Sequence, residues 1–386
     1  MSKADTIPLG DIMPKKTGSV DPSDFPDEVF DLYSVPAFDT GQPEALVGGK
    51  IGSAKQVVQP RDVLLSKIVP HIRRCWVVGG NRGRRIIASG EWIVFRNQAV
   101  EPNFLRYLLV EDRFHAKFIN TVSGMGGSLM RARPSYVSEI EIALPNPTEQ
   151  RRIAGELELA DGLRRTRRYA LELDDTFLPA AFLHLFGDLE HGTGEKTELH
   201  EVADIITGYP FSSAEYVSGG DTIKLCRGAN VLPDRIDWSD LAIWPKSKTE
   251  KLENYFLKIG DVVMAMDRPW INEGFKVTQI RPEDCPALLV QRVARLRGKD
   301  GVPNEFLYHL LRQPMFTRHC RPTETTIPHI SPTEIQSFAF RLPLLPLQTR
   351  FAELVSRHER LRSVQRESLR QAEHLFQSLL HQAFST

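Results

Sequence analysis

Short apolar runs bounded by turn residues alternate along this chain with two long stretches in which apolar positions recur every three to four residues and charge fills the rest. In the first 145 positions, Asp62-Val63-Leu64-Leu65, Trp76-Val77-Val78 and Glu91-Trp92-Ile93-Val94-Phe95 stand between glycine-rich turns and predict strands. Asn103 to Ile119 carries Phe104, Leu105, Leu108 and Leu109 on one face and predicts a helix. Gly124-Met125-Gly126-Gly127 predicts a flexible loop ahead of Arg131-Ala132-Arg133-Pro134. After the linker His191-Gly192-Thr193-Gly194, strands are predicted at Thr222–Leu225, Asp261–Met266 and Leu288–Val290. Phe338–Pro343 predicts a strand that feeds the second long stretch.

The first long stretch opens with clear start signals. Asn146 can cap, Pro147 suits the first helical position, and Glu149 stands where a capping box closes. Thr148 to Phe186 is 39 residues, roughly 58 Å of helix at about 1.5 Å per residue. Leu157, Leu171 and Leu178 fall at heptad intervals with Arg164 breaking the series, and Gly155, Gly162 and Pro179 predict a bend, above all near Pro179. The second helix runs from Leu347 to Phe384, with Leu354, Leu361 and Leu375 in heptad register and Ser368 as the break. One narrow apolar stripe stabilises an isolated helix poorly, so packing of the two against each other is the economical solution. The alternative lays each across its own domain.

These elements occur twice. Leu144-Pro145-Asn146-Pro147-Thr148-Glu149-Gln150, with Ile153, Leu163, Leu171 and Phe186 beyond it, is matched 198 positions later by Leu342, Gln348, Phe351, Leu361, Leu369 and Phe384. Upstream, Asp62-Val63-Leu64 through Pro70 returns as Asp261-Val262-Val263 through Pro269, and Asn103-Phe104-Leu105 as Glu305-Phe306-Leu307. A period this long is a duplicated module, not a solenoid unit. The organisation expected is a globular unit over 1–145, a helix over 146–190, a second unit over 191–342 and a second helix over 343–386.

Composition changes this picture little. The 386 residues suffice for two cores. No apolar run approaches the ~18 residues of a membrane span, and Met1-Ser2-Lys3-Ala4-Asp5 begins no signal peptide. Cys75, Cys226, Cys285 and Cys320 are scattered, which predicts isolated buried thiols, no ordinary zinc site and a reducing cytoplasm. Net charge is zero, which counts mildly against a chain that grips nucleic acid alone. The distribution is uneven, however. His71 to Arg85 holds five arginines and no acid, while acids gather at Asp21 to Asp31. The glycine cluster lacks the Lys-Ser/Thr of a phosphate loop, no catalytic signature appears, and His309 and His319 read as ordinary core or surface residues. The chain is expected to bind rather than transform.

The junction Leu144-Pro145-Asn146-Pro147-Thr148-Glu149-Gln150-Arg151-Arg152-Ile153-Ala154 closely resembles that of type I restriction-modification specificity subunits. Phe182-Leu183-His184-Leu185-Phe186-Gly187-Asp188, Leu225-Cys226-Arg227-Gly228-Ala229-Asn230-Val231 and Gly260-Asp261-Val262-Val263-Met264-Ala265-Met266 resemble further segments of that family. Leu342-Pro343-Leu344-Leu345-Pro346-Leu347-Gln348 departs from it, lacking the acid before Gln348.

The resemblance implies an α+β fold: two similar target recognition domains separated by two long antiparallel helices in a pseudo-two-fold internal repeat. It implies a non-catalytic chain, each domain reading half of a bipartite site in double-stranded DNA, the helices setting the gap. A rod of roughly 58 Å corresponds to about 17 base pairs at ~3.4 Å each. Two methylation subunits bringing S-adenosylmethionine would dock on the helices; restriction subunits and no membrane complete the picture, and this chain itself needs no cofactor or metal. Residue type then selects DNA contacts, since Arg suits guanine, Asn suits adenine and Lys or Arg suits phosphate. These are Lys67, Arg73, Arg74, Arg82, Arg84, Arg85, Arg131 and Arg133 in the first unit. In the second they are Arg227, Asn230, Arg268, Asn272, Lys276, Arg321 and His329. Ile153, Leu157, Leu171, Leu178, Leu354, Leu361 and Leu375 are the expected subunit interface. The competing readings are the specificity chain of another DNA modification system and a two-domain protein scaffold.

Overall fold

The computed structural model describes residues 5–123, 130–192, 194–320 and 328–385. Helices and strands mix throughout, and the chain divides into two compact units, Met1–Tyr169 with Arg366–Thr386, and Ala170–Gln365. Each long helix is therefore shared between the units. No described helix is long and apolar enough to cross a membrane.

In the first unit, Val63–Ser66 lies between Cys75–Val77 and Trp92–Phe95, antiparallel to both. Beside it a five-stranded sheet runs in the order Ser19–Val20, Lys55–Val57, Arg85–Ala88, Val29–Tyr33, Glu44–Val47, its central pair parallel. Asp5–Pro8 pairs with Glu141–Leu144, so the globular part begins and ends on one two-stranded ribbon. The second unit repeats the plan. Val262–Ala265 lies between Val293–Gly298 and Val277–Gln279, Thr222–Cys226 runs parallel to Ala287–Leu289, and Lys196–Glu198 pairs with Ala339–Arg341. The helix predicted over Asn103–Ile119 is in fact two, Pro102–Leu108 and Asp112–Ile119. Glu111 ends the continuity by accepting the Arg113 and Phe114 amides as a cap.

The duplication extends to individual bonds. Asp62, only 1% exposed, takes both prongs of Arg96 at 2.7 and 2.6 Å; Asp261, equally buried, takes both prongs of Arg297 at 2.7 Å. The backbone is left-handed just before each acid, at Arg61 and at Gly260. Gln150 donates to the Pro145 carbonyl at 2.8 Å and Gln348 to that of Pro343 at 2.7 Å. The Gln150 carbonyl also accepts the Glu101 amide at 2.8 Å. In the second unit Pro303 caps the corresponding helix, and a proline has no amide hydrogen, so the buried Gln348 Oε1 has no partner among the described residues.

The central helix is Pro147–Asp174, followed after two residues by Phe177–Phe186. The break lies within one turn before Pro179, whose ring and missing N–H act on the preceding turn. Asn146 caps as expected, accepting from the Thr148 and Glu149 amides at 3.1 and 3.0 Å. Glu149 does not close a capping box. Its carboxylate engages Arg152 at 2.6 and 2.9 Å, which holds it below the usual carboxylate range.

The C-terminal helix, Leu345–Phe384, buries a different stripe from the one its leucines suggest. Phe351, Val355 and His358, then Ala372, Phe376 and Leu380, are buried at spacings of three or four within each group, whereas Leu361 and Leu375 are 57% and 46% exposed. The leucine heptad is one residue out of register because the middle of the true seam is polar. In the first unit Arg167 meets Ser368, Arg168 meets Glu373 at 2.8 Å and Arg164 lies over the Phe376 ring at 4.1 Å. In the second, Asp175 meets Arg362, Asp174 meets His358 at 2.8 Å, and Phe182 meets Phe351. Ile153 and Leu157 belong to the core of the first unit and Leu178 to that of the second, which removes them from any interface with a partner. Leu171 and Leu354 are half-buried.

Candidate nucleic-acid interface

The basic run from His71 to Arg85 is basic only in sequence. Folding brings it acids from elsewhere, several from the acidic stretch around Asp31. Arg84 pairs with buried Asp31 at 3.1 Å, and Arg85 is clamped by Glu28 at 2.6 Å while stacked on Phe25 at 4.0 Å. Arg74 approaches Asp39 at 3.4 Å. Arg73 reaches Asp112 at 2.6 Å and donates to the Val110 carbonyl at 3.0 Å. Arg82 is exposed and, among the described residues, has no partner.

A second location concentrates the remaining candidates in both units: the turn after the strands Val63–Ser66 and Val262–Ala265. Val69 and Arg268 hold the same left-handed conformation, φ 48° and 46°, each followed by a proline. Such a backbone is uncommon for a side-chain-bearing residue and costs of order 1 kcal/mol. Its occurrence at a valine in one unit and an arginine in the other assigns it to the frame rather than to either side chain. The frame is tied identically. The Val69 amide donates to the Met130 carbonyl at 3.3 Å, as Arg268 does to Pro328 at 2.8 Å. Ala132 donates to Lys67 at 2.8 Å, as Ile330 does to Met266 at 2.9 Å, and bridges join Ile68 to Arg131 and Asp267 to His329.

The side chains on this frame differ. In the first unit Lys67 is half-buried, and Arg131 faces Glu91 through Nε and Nη2 at 3.3 and 3.4 Å. Arg133 lies over Tyr136 at 5.5 Å. In the second unit Arg268 is exposed, His329 is half-exposed, and Asn272 stands exposed at the tip of the hairpin Trp270–Phe275. Arg292, which residue type alone did not select, joins them through an ion pair with Asp267 at 3.6 Å. Its only sequence signal is positional, since it precedes Val293–Gly298 as Glu91 precedes Trp92–Phe95.

Two selected residues are structural instead. Asn230 is buried, and its amide donates to the Asp237 and Asp240 carbonyls at 2.9 Å each while its oxygen accepts the Arg227 amide at 3.1 Å. No hydrogen-bonding capacity is left for a base. Lys276 is buried and donates to the Gly228 carbonyl at 2.5 Å; burial first, and then Arg268, push its ammonium below the usual lysine range. Arg227 is held by Asp240 at 3.0 Å. Arg321 and the Gly124–Gly127 loop lie outside the described residues.

The cysteines are free; Cys75, Cys226 and Cys320 are buried, which pushes their thiols up to about 12, and Cys285 is half-buried. His309 sits in an aromatic nest of Phe182, Tyr308 and Phe351, and burial holds its imidazole down at about 3. His319 approaches the Glu334 carbonyl through Nε2 at 2.9 Å.

Residues 193–374 match the type I restriction modification DNA specificity domain. The chain is 33% identical over 169 residues to the type I restriction enzyme EcoAI specificity subunit of Escherichia coli, covering 43% of this chain and 28% of that protein. It is 28% identical over 295 residues to the MjaVIII specificity subunit of Methanocaldococcus jannaschii, covering 72% and 68%. A chain from a solved type I restriction-modification system shares the fold at a TM-score of 0.62 and 20% identity, covering 100% of this chain and 98% of that one.

Proposed function

We propose that the chain is a type I restriction-modification specificity subunit, the non-catalytic subunit that reads DNA for a modification complex. Each unit reads one half of a bipartite duplex site. The observation that carries this reading is the doubled turn frame, which presents one set of polar side chains in the first unit and another in the second. One backbone with two sets of reading groups suits an asymmetric target, because bases are discriminated by side chains at their edges.

The two long helices act as an antiparallel spacer that sets the gap between half-sites. The contact pairs within each unit, whose numbers rise on one helix as they fall on the other, support that arrangement. Leu361 and Leu375, turned out of the seam, are suited to docking methylation subunits that carry S-adenosylmethionine. Those partners would contribute the phosphate grip that a chain of zero net charge, with most of its arginines paired, supplies weakly.

Co-expression with the neighbouring methyltransferase gene, followed by single-molecule sequencing for modified bases, tests the proposal. The expected result is a bipartite motif of fixed gap that vanishes when this chain is deleted. Modification that persists without the chain, or a motif with no gap, overturns it.

A further inference from the structure

Although the turn frame is the same in both units, the position of its arginine is not. In the first unit the acid stands before the strand (Glu91) and the arginine follows the loop (Arg131). In the second the arginine stands before the strand (Arg292), and the acid is Asp267 in the turn itself. The two arginines are almost equally exposed, 48% and 51%, yet their donors are used differently. Glu91 faces Arg131 through both Nε and Nη2. Asp267 approaches Arg292 nearest at Nε, at 3.6 Å and beyond hydrogen-bond reach, and among the described residues no hydrogen bond engages the guanidinium, which leaves its Nη1/Nη2 donors available.

The backbone of Arg292 is held on several sides. Its carbonyl accepts the Met266 amide at 3.1 Å. The preceding segment packs on Gly208, where a Cβ would lie 2.2 Å from the Val290 carbonyl carbon and 2.6 Å from the Gln291 nitrogen. The buried Lys276 ammonium secures Gly228, whose own Cβ would lie 3.8 Å from the Arg292 carbonyl oxygen. A fixed backbone, an acid beside Nε that favours one orientation of the side chain, and available paired donors suit bidentate recognition of guanine O6 and N7. Arg268, exposed and left-handed one residue after Asp267, supplies a second cation beside it.

We infer that Arg292 is a specificity-determining residue of the second unit, reading a guanine in its half-site, with Asp267 as the positioning residue that aims it. This rests on the DNA-reading function proposed above. The structurally equivalent Glu91 has no such donors, so this particular contact belongs to the second unit only.

The test is selection from a random duplex library by the complex of this chain with its co-expressed methyltransferase, comparing wild type, Arg292→Ala and Arg292→Lys. The wild type should enrich a bipartite motif. Arg292→Ala should relax one G·C position in one half by roughly five- to a hundredfold, leaving the other half and the gap as an internal control of folding and assembly. Arg292→Lys keeps the charge but not the paired donors, so it should bind with near wild-type salt dependence and show the same relaxed position. An unchanged motif in both variants overturns the assignment. So does a uniform loss of affinity in Arg292→Ala that Arg292→Lys restores with no motif change, since that behaviour belongs to a phosphate contact. A wild-type complex that enriches no motif overturns the DNA-reading function itself, and this assignment with it.

Discussion

Removing the Asp261 carboxylate should be among the most damaging single changes in the second unit. Asp261 is 1% exposed and takes two charged hydrogen bonds from Arg297 at 2.7 Å, plus the Lys258 amide at 2.8 Å. Asp261→Ala leaves a guanidinium without its counter-charge, a change that costs about 3–5 kcal/mol where the ion stays buried. The Arg297 side chain is 28% exposed and can recover part of its solvation, which favours the lower end. The orphaned Lys258 amide adds of order 1 kcal/mol. A loss of about 3–4 kcal/mol in a unit of this size lowers Tm by roughly 6–16 °C. Calorimetry of the purified protein measures it, and the double variant Asp261→Leu with Arg297→Met, which removes both charges, should regain most of the loss. A fall of less than about 2 °C in Asp261→Ala, or a double variant no better than the single, refutes the reasoning.

Three further outcomes are expected. Gln150→Ala should cost about 2 kcal/mol and Gln348→Ala about 1, because only Gln150 has both ends of its amide engaged; urea titration of the two variants compares them. Phe376→Ala should cost about 3–5 kcal/mol, whereas Leu375→Ser, one residue away but exposed, should stay within about 0.5 kcal/mol, so the reverse order in thermal melts would restore the leucine heptad. His309 is neutral in the folded protein down to about pH 3 and is protonated near 6.5 when unfolded. Its contribution is therefore complete above pH 6.5 and lost as pH falls, by up to about 1.4 kcal/mol per unit. Urea stability at pH 5 and pH 7 should show that loss in the wild type and not in His309→Phe.

How much of this was legible depended on whether the determining neighbour was local in sequence. The duplicated strand that begins Asp62-Val63 and Asp261-Val262, the Asn146-Pro147 helix start and the interruption near Pro179 were readable because the residues that cause them lie within a turn of the effect. The sequence pattern puts the helix seam one residue out because Leu361 and Leu375 are conspicuous, while His358 and Arg362 meet acids that only the fold supplies. The arginines between His71 and Arg85 looked like a free cationic surface because Glu28, Asp31, Asp39 and Asp112 are distant in the chain. Asn230 and Lys276 have the right chemistry for DNA, but their polar atoms are consumed by backbone carbonyls. Arg292 is the converse case: nothing beside it in sequence distinguishes it, and only its place on the shared frame does.

The two-stranded ribbons that open and close each globular part carry an evolutionary consequence. With Asp5–Pro8 beside Glu141–Leu144, and Lys196–Glu198 beside Ala339–Arg341, the chain enters and leaves each part through a single narrow neck. If each globular part reads DNA as proposed above, crossovers at the two strands of one neck would exchange an entire reading head for another of different preference. The incoming head would bring its own buried acid–arginine clamp, and the helical frame would keep most of its own seam. Such a chain can acquire a new target in one recombination event rather than by a series of substitutions, each of which must leave the protein folded.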